Sequence, residues 1–295
     1  MSAIKKFATR AAIASIRTYL NGLSLISEKK AGKKAVEIFS SPRKGRTTER
    51  DLPFLKTAEW SVLPFGKIKI QCYFWKNNDA PDAETILLAH GWESNSARWQ
   101  PLIQQLKKAH FNVVAMDAPA HGGSGSRFFN AFLYAEMMNV VVEKFQPSAI
   151  VGHSVGGFAT AYFAAHFDHP SVKRLVLMAV PSNLRQIFDA FLRILNVNDK
   201  VQKAYYAYFS KIVGQTVDDL TAEKFVGKLN LKGFIIHDKT DNVAAYDDGV
   251  RLHAAFRNAK FLTSDGAGHS LRGSAIQKAV VDFLKETATP PTAIF

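Results

Sequence analysis

The chain has 295 residues, of which 47% are apolar and one is a cysteine, and its formal charge at pH 7 is +13. The apolar fraction and the 22 phenylalanines exclude a disordered chain, and lone Cys72 excludes an internal disulfide framework or a multi-thiolate metal site. No uncharged apolar stretch reaches the ~18 residues that a membrane-spanning helix needs. We therefore expect a soluble globular protein of the cytoplasm, with a core large enough for one sizeable α/β domain.

The positive charge is concentrated near the N-terminus. Residues 1–50 contain 12 of the 38 Lys and Arg residues but only three of the 25 acidic residues, so they carry +9 of the +13. The rest of the chain is nearly balanced and has no basic run interleaved with aromatic residues, which argues against a nucleic-acid partner. Residues 1–55 are therefore expected to form a basic helical extension.

Apolar residues of this extension recur at roughly helical spacing, and Lys6, Arg10 and Arg17 lie off their stripe. The stripe consists of Ile4, Phe7, Ala8, Ala11, Ala12, Ile16, Leu20 and Leu23. Arg17 interrupts the apolar run that a secretory signal would need. Two interpretations stay open: peripheral contact of residues 1–26 with an anionic membrane, or a helix docked on the folded body with its basic face in solvent.

From about residue 67 onward, short β-rich runs alternate with longer helical ones. The strand candidates are Lys67–Trp75, Thr85–Ala89, Asn112–Met116, Ala149–Gly152, Leu175–Ala179, Gly233–Ile236 and Lys260–Thr263. The helical candidates are Arg98–Lys108, Phe129–Lys144, Val155–His166, Asp247–Arg257 and Ile276–Glu286. This alternation predicts a doubly wound, mostly parallel sheet with helices on both faces, formed by residues 56–181 and 231–295.

Residues 182–230 interrupt the alternation because they contain no strand candidate. Apolar residues at helical spacing predict one helix from Leu184 to Leu195, and a second helix follows with Tyr205, Tyr206, Tyr208 and Phe209. Insertions in doubly wound sheets commonly cover the carboxyl ends of the strands, where ligands bind. We expect a helical lid whose rings of Phe188, Phe191, Tyr205 and Tyr208 line an acyl pocket, although extra core helices would give the same pattern.

The segment Gly152-His153-Ser154-Val155-Gly156 stands between a buried strand and an Ala-rich helix. A nucleophilic serine must be held clear of its own backbone on a tight strand-to-helix turn, and small residues two positions before and after it allow that turn. The amides and dipole at the start of the following helix favour negative charge beside the hydroxyl. We therefore expect Ser154 to be a nucleophile.

A serine hydroxyl needs a base, and the base needs an acid that orients it. His269 lies in a Gly-rich loop after the last strand candidate, where the chain order serine, acid, histidine would put the base. The preceding strand candidate is followed by Asp238 and Asp241, and Asp265 lies nearer the histidine. Asp241 is preferred because of its loop reach, with Asp238 and Asp265 left as alternatives.

An acyl-transfer intermediate needs two N–H donors aimed at its oxyanion. The amide of Val155, directly after the nucleophile, supplies one. The second is expected from Trp92 in the loop His90-Gly91-Trp92, since Gly91 lets the backbone approach closely. The alternative is that His90 and Gly91 merely form a turn.

These motifs, together with the segment Asp117 to Ser124, resemble the α/β-hydrolase superfamily of serine hydrolases, which includes esterases and lipases. The likeness runs from about residue 67 to 286 and implies the α/β-hydrolase fold and a Ser154–His269–Asp241 triad. In that family the Asp117–Ser124 loop is structural, so it implies no catalytic role for Asp117 or His121. A serine at position 154 argues against the dehalogenases and epoxide hydrolases, which resemble this family and use aspartate there.

We expect a hydrolase that cleaves a small-molecule carboxylic ester or thioester through an acyl-enzyme on Ser154, with no metal or organic cofactor. An amidase, a carbon–carbon bond hydrolase or an acyltransferase would use the same residues. A ligand-binding protein that keeps the triad with little turnover, and a membrane-tethering role led by the first 50 residues, are the alternatives from other classes.

Overall fold

The computed structural model describes residues 3–80 and 82–286, with side chains from Arg10 onward. Its helices are α1 (Ala3–Ile26), α2 (Glu28–Phe39), α3 (Leu52–Leu55), α4 (Gln100–Lys108), α5 (Ala131–Phe145), α6 (Val155–His166), α7 (Leu184–Leu195), α8 (Asp199–Val213), α9 (Ala222–Val226), α10 (Tyr246–Ala255) and α11 (Ser274–Lys285). Its strands are β1 (Glu59–Phe65), β2 (Ile68–Trp75), β3 (Thr85–Ala89), β4 (Asn112–Met116), β5 (Ala149–His153), β6 (Arg174–Met178), β7 (Lys232–Asp238) and β8 (Ala259–Ser264).

The eight strands form one sheet in the order β1-β2-β4-β3-β5-β6-β7-β8. Strands β3 to β8 pair in parallel, whereas β2 runs antiparallel to both β1 and β4. The residues of β4, β5 and β6 are all buried, as their continuous apolar runs require when helices cover both faces of a sheet. The predicted fold class, a mostly parallel sheet flanked by helices, is confirmed.

Strand β1 was not among the sequence candidates, although it pairs with β2 along its whole length. It is an edge strand with mostly exposed or half-buried residues and contains Pro64, which only an edge strand tolerates well. The connection to β2 turns at Gly66, whose φ of +55° lies in the left-handed region. The pattern of apolar residues was therefore too weak to reveal this strand.

The chain divides into two compact units. The first, called the helical unit below, combines the N-terminal segment up to Ser41 with Asn183–Thr221. The second, called the sheet unit, contains Pro42–Ser182 and the chain from Ala222 onward. These boundaries differ from the expected limits at residues 55, 182 and 230.

The N-terminal boundary differs because residues 42–55 are part of the sheet unit and pack on its core through Leu55. Leu55 is fully buried in a cluster with Tyr73 and Trp75, and Phe54 stacks on the Trp75 ring at 5.1 Å. Arg46 donates a hydrogen bond of 2.8 Å to the carbonyl of Ser124. At the other boundary, α9 packs against α6 and α10, and so lies in the sheet unit as well.

The helical unit is held together by a close approach of α2 to α8. A Cβ on Gly32 would lie 2.2 Å from the carbonyl oxygen of Ala204, so only glycine fits there. In α1, Leu20 is buried, and Asn21 and Ser24 hydrogen-bond to Asn198 at 2.9 and 3.1 Å. The first two helices thus pack on the inserted helices. The interpretation of a docked helix expected such packing, but not that the inserted helices would provide the surface.

Only part of the apolar stripe predicted for α1 can be compared with the structure. Ile16 is half-buried, whereas Ala11 and Ala12 are exposed. The side chains of Ile4, Lys6, Phe7 and Ala8 lie outside the described residues. Among the helices that are described, none combines the length and the hydropathy needed to cross a bilayer.

The two ends of the inserted segment lie side by side. Asn183 and Thr221 form an isolated antiparallel bridge. Asn183 also caps α7, since its side chain accepts a hydrogen bond from the amide of Arg185 at 2.7 Å. The segment between them is helical, as predicted, and its function as a lid stays a prediction.

Candidate active site

Ser154 occupies a strained turn between β5 and α6. Its φ of +55° and ψ of −128° are unfavourable for a residue with a side chain. A Cβ on Gly156 would lie 2.4 Å from the carbonyl oxygen of His90, and one on Gly152 would lie 2.5 Å from the Cα of Gly157. The small residues around the serine are therefore required by backbone contacts, and the turn presents the hydroxyl beyond the end of the strand.

The structure brings Ser154, His269 and Asp241 together in a linear hydrogen-bonded arrangement. The Nε2 atom of His269 lies 3.0 Å from the Ser154 Oγ, and its Nδ1 atom lies 2.8 Å from the Asp241 Oδ2. The Asp241 carboxylate is fully buried, while the His269 side chain is 21% exposed. The imidazole can thus exchange a proton with the hydroxyl on one side while the carboxylate fixes its orientation on the other.

The loop after β7 supplies further donors to Asp241. Its Oδ1 accepts hydrogen bonds from the amides of Val243 and Ala244 at 2.8 and 3.0 Å. Burial alone would raise the pKa of Asp241, but donation from His237, His269 and these two amides outweighs burial and lowers it. The carboxylate therefore stays ionised beside the imidazole.

The other two acid candidates do not contact His269. Asp238 accepts hydrogen bonds from Thr240, from the Ser264 hydroxyl at 2.7 Å and from the Ala267 amide at 2.9 Å. It thereby ties β7 and β8 to the loop that carries the histidine. Asp265 is exposed and lies 4.0 Å from the Lys239 ammonium. Of the three candidates, only Asp241 has the geometry of an orienting acid.

Val155 and Trp92, the expected oxyanion donors, lie on two segments in close contact. Val155 is the first residue of α6, where helix amides have no partner within the helix. A Cβ on Gly91 would lie 3.0 Å from the Cβ of Ser154, so the glycine allows the loop after β3 to approach the nucleophile turn. The structure agrees with the reason given for Gly91, and the donor roles stay predictions.

Two neutral histidines hold the loop of Trp92 in place. His90 accepts a hydrogen bond from the amide of Ala118 at 3.0 Å, and His121 accepts one from the amide of Glu93 at 3.0 Å. Burial, helped by the nearby His121, lowers the pKa of His90 to about 3, and burial also lowers the pKa of His121. Both rings are therefore acceptors, which requires the neutral form.

Asp117 has the structural role that the family resemblance implies. It accepts hydrogen bonds from the amide and hydroxyl of Ser96 at 2.9 and 2.7 Å, and from the amide of Gly123 at 2.8 Å. A Cβ on Gly122 would overlap its carboxylate, 1.9 Å from Oδ2. These contacts fix the loop from Asp117 to Ser124.

A contact missed in the sequence links Arg98 to the histidine loop. The Arg98 guanidinium hydrogen-bonds the Nδ1 atom of His153 and donates a bond of 3.1 Å to the Ser270 carbonyl. The Nε2 atom of His153 lies 2.8 Å from the His269 carbonyl oxygen, so this nitrogen is the donor. The one feature of the sequence that could have indicated this contact is the position of His153 next to Ser154.

The four aromatic residues predicted to line a pocket have different environments. Phe188 and Tyr205 are 4% and 0% exposed, and their rings pack 5.3 Å apart. Phe39 from α2 contacts both rings, at 5.1 and 6.3 Å. These two residues are therefore core residues of the helical unit, which corrects the expectation that they line a pocket. Phe191 and Tyr208 are half-buried, and their pocket role stays a prediction.

The described residues contain no group of three or more His, Cys, Asp or Glu side chains arranged to hold a metal ion. A serine hydroxyl hydrogen-bonded to an imidazole at the end of a buried strand is an arrangement typical of serine hydrolases.

Comparison with known proteins indicates a hydrolase. The family model described as alpha/beta hydrolase fold matches residues 84–217, and that of the TAP-like protein matches residues 216–293. A bifunctional esterase/perhydrolase from Acinetobacter calcoaceticus is 34% identical over 265 residues, covering 72% of this chain and 95% of that protein. A monoglyceride lipase from Rattus norvegicus is 30% identical over 174 residues, covering 53% of this chain and 54% of that protein.

Solved structures show the same fold. The enol-lactonase from Burkholderia xenovorans has a TM-score of 0.60 at 18% identity and covers 77% of this chain and 100% of its own. An esterase from Pyrococcus furiosus has a TM-score of 0.61 at 18% identity, with 83% and 96% covered. The chain belongs to the α/β-hydrolase family.

Proposed function

We propose that the protein is a serine hydrolase of carboxylic esters or thioesters. The observation that carries the proposal is the continuous hydrogen-bonded path from the Ser154 hydroxyl through His269 to the buried Asp241. The relatives named as an esterase and a lipase support an ester as the substrate class. The strained backbone of Ser154 supports a nucleophile, because such strain is kept at functional sites.

In the first half of the proposed reaction, His269 takes the proton of Ser154 while the hydroxyl oxygen attacks the ester carbonyl. The Asp241 carboxylate stabilises the imidazolium that forms. The amides of Val155 and Trp92 donate to the oxyanion of the tetrahedral intermediate. Collapse of this intermediate expels the alcohol or thiol, which receives the proton from His269 and leaves an acyl-enzyme on Ser154.

In the second half, His269 activates a water molecule that attacks the acyl-enzyme. The acid is then released and the proton returns to Ser154. Amide, carbon–carbon and acyl-transfer reactions would use the same residues with another leaving group or acceptor. The ester reaction is preferred because the relatives described above are named as an esterase and a lipase.

The test is hydrolysis of p-nitrophenyl esters with acyl chains from two to sixteen carbons, with Ser154→Ala as the control. We expect turnover that the substitution lowers by about 10⁴- to 10⁶-fold. Labelling of the native protein by a fluorophosphonate runs in parallel, because only an activated serine reacts quickly. Absence of both turnover and labelling in folded protein would favour a ligand-binding protein instead.

A second candidate function is peripheral membrane contact through residues 1–26. Near the end of α1, Tyr19, Leu25 and Ile26 are 52%, 77% and 84% exposed, and Lys29 and Lys30 follow them on the exposed side of α2. Apolar side chains next to basic ones suit an anionic lipid surface. Sedimentation with phosphatidylglycerol vesicles should capture the native protein and release most of a Leu25→Ser, Ile26→Ser variant. Equal capture of both would argue against this contact.

A further inference from the structure

Arg98 carries a positive charge into the sheet unit without a matching negative one. It lies on the short 3-10 turn Ser96–Trp99, and its guanidinium reaches the ring of His153 and the carbonyl of Ser270. Both acceptors are uncharged. Within the described residues no carboxylate lies within ion-pair distance of Arg98, and its Nε–H is buried without a partner. Arg98 is half-buried, so part of its guanidinium is removed from water with no carboxylate to balance the charge.

The charge of a second cation acts on Arg98. Burial, followed by the positive charge of Arg272, lowers the pKa of Arg98 to about 9. Arg272 lies just before α11 on the loop that carries His269, and it is exposed. In the described part of the chain it makes no hydrogen bond or ion pair. Two neighbouring guanidinium groups without a counter-ion repel each other, and an anion between them would remove the repulsion.

Both arginines line one cavity of about 470 Å³ in the sheet unit. Arg46 lines it too, but donates to the carbonyls of Gly122 and Ser124. The two acidic residues of the cavity are Asp51 and Glu93. Each accepts hydrogen bonds from uncharged donors of the chain: Asp51 from Thr48 and Asn95, and Glu93 from the amide of Arg43. Neither is within 4 Å of an arginine among the described ion pairs. Arg98 uses one N–H of each terminal nitrogen for His153 and Ser270, so the other N–H of each can still donate, as can the N–H groups of Arg272.

We propose that Arg98 and Arg272 form a subsite for a carboxylate group that the ester substrate carries in addition to its reacting bond. A guanidinium offers parallel N–H donors that match the two oxygens of a carboxylate. The subsite is linked to the reacting groups through Arg98, whose partners His153 and Ser270 are the chain neighbours of Ser154 and His269. This inference rests on the proposed hydrolysis at Ser154 and narrows its substrate class to acidic esters.

The test compares two matched pairs of esters. The first pair, mono-p-nitrophenyl glutarate and p-nitrophenyl pentanoate, places the extra carboxylate on the acyl side. The second pair, 4-carboxyphenyl butyrate and 4-carbamoylphenyl butyrate, places it on the leaving group. We expect the native protein to prefer the acidic member of at least one pair by tenfold or more in kcat/KM, mainly through a lower KM.

The Arg272→Gln variant should lose about tenfold of this preference, and Arg272→Glu should reverse it. Arg257→Gln is the matched control, because Arg257 is an exposed arginine of the sheet unit away from the cavity. Free glutarate should slow fluorophosphonate labelling of Ser154 in the native protein more than in Arg272→Gln. The last readout does not depend on turnover.

These measurements distinguish failure of the carboxylate subsite from failure of the proposed hydrolase function. If the neutral esters are hydrolysed with no preference for the acidic members, or with a preference that Arg272→Gln retains, the subsite is refuted and the hydrolase stands. If no ester is hydrolysed and Ser154 is not labelled, the proposed function fails and the acidic-ester subsite fails with it.

Discussion

The sheet unit and the helical unit are organised by different kinds of contact. In the sheet unit, the critical geometry lies within one short turn formed by Gly152, Ser154 and Gly156. The shape of this turn follows from close backbone contacts, some within a few residues of the turn and some with β3. In the helical unit the critical contact joins Gly32 to Ala204, which are far apart in the chain. Local geometry can be inferred from a motif, whereas a contact between distant segments cannot.

The contrast is sharpest in how the two units use buried polar groups. The sheet unit buries the side chains of His90, His121, Asp117, Asp238 and Asp241, and each has hydrogen-bond partners that fix its orientation. The helical unit is instead centred on aromatic rings, with Phe188 in contact with Phe39, Tyr205 and Phe209. Polar networks fix the orientation of individual groups, whereas apolar packing fixes only volume and shape.

The largest expected effect comes from substituting a buried polar group of the sheet unit. Asp241→Asn should lower kcat by about 10³- to 10⁴-fold with little loss of secondary structure, because the imidazole loses its orienting acceptor. Asp238→Asn should mainly lower the free energy of unfolding and reduce kcat by a much smaller factor. Ester turnover and circular dichroism of both variants provide the measurement. A larger catalytic loss in Asp238→Asn would reassign the orienting acid.

The next largest effect is expected from substituting an aromatic core residue of the helical unit. Phe188→Ala should lower the free energy of unfolding of the helical unit by about 3–5 kcal/mol, since it leaves a cavity among packed rings. Hydrogen exchange followed by mass spectrometry should show faster exchange in α7 and α8. Phe191→Ala, at a half-buried position of the same helix, is the control and should cost less. Equal exchange in both variants would show that Phe188 is not the centre of this core.

Acid should destabilise the sheet unit through its buried histidines. The pKa of His90 falls from 6.5 to about 3 on folding, so below pH 6.5 the unfolded chain binds a proton that the native chain does not. Stability is therefore lost as the pH falls from 6.5 towards 3, by about 2 kcal/mol for His90 at pH 5. Urea unfolding between pH 7.5 and 5 should show this loss, and His90→Gln should reduce the slope. A stability that stays constant down to pH 5 would contradict it.

The smallest effects come from two glycines of the helical unit. Gly32→Ala should cost about 1–3 kcal/mol, because the added methyl group overlaps the backbone of α8 at Ala204. Gly22→Ala in α1 has no atom within 4 Å of the new Cβ and should stabilise the unit by about 1 kcal/mol or less. Thermal unfolding of the two variants gives the comparison. A neutral Gly32→Ala would show that α2 and α8 are not in tight contact.

Much of the sheet unit could be predicted because each of its signals lies within one short segment. The buried strands from β3 to β7 are apolar runs between turns, and the Ser154 turn is defined by the glycines around it. The order of serine, acid and histidine along the chain then indicated His269, and loop reach favoured Asp241. Distinguishing Asp241 from Asp238 required the hydrogen bonds, since both follow the same strand.

The rest depended on contacts between distant residues. Nothing near Arg98 in the chain shows that its guanidinium meets His153 and Ser270. The apolar stripe of α1 and the aromatic residues of α7 and α8 were visible separately, but not their association. Phe188 and Tyr205 were consequently assigned to a pocket, although packing with Phe39 makes them core residues.

The bridge between Asn183 and Thr221 has a consequence for how such a protein can change over time. An insertion whose ends are neighbours behaves as a cassette, which can be lengthened, exchanged or removed while the rest of the chain keeps its course. Here the cassette is not independent, because Asn21, Ser24 and Gly32 of the N-terminal segment fit its surface. A graft of the insertion onto a related hydrolase would therefore need the N-terminal helices as well, and the two segments are expected to be inherited together.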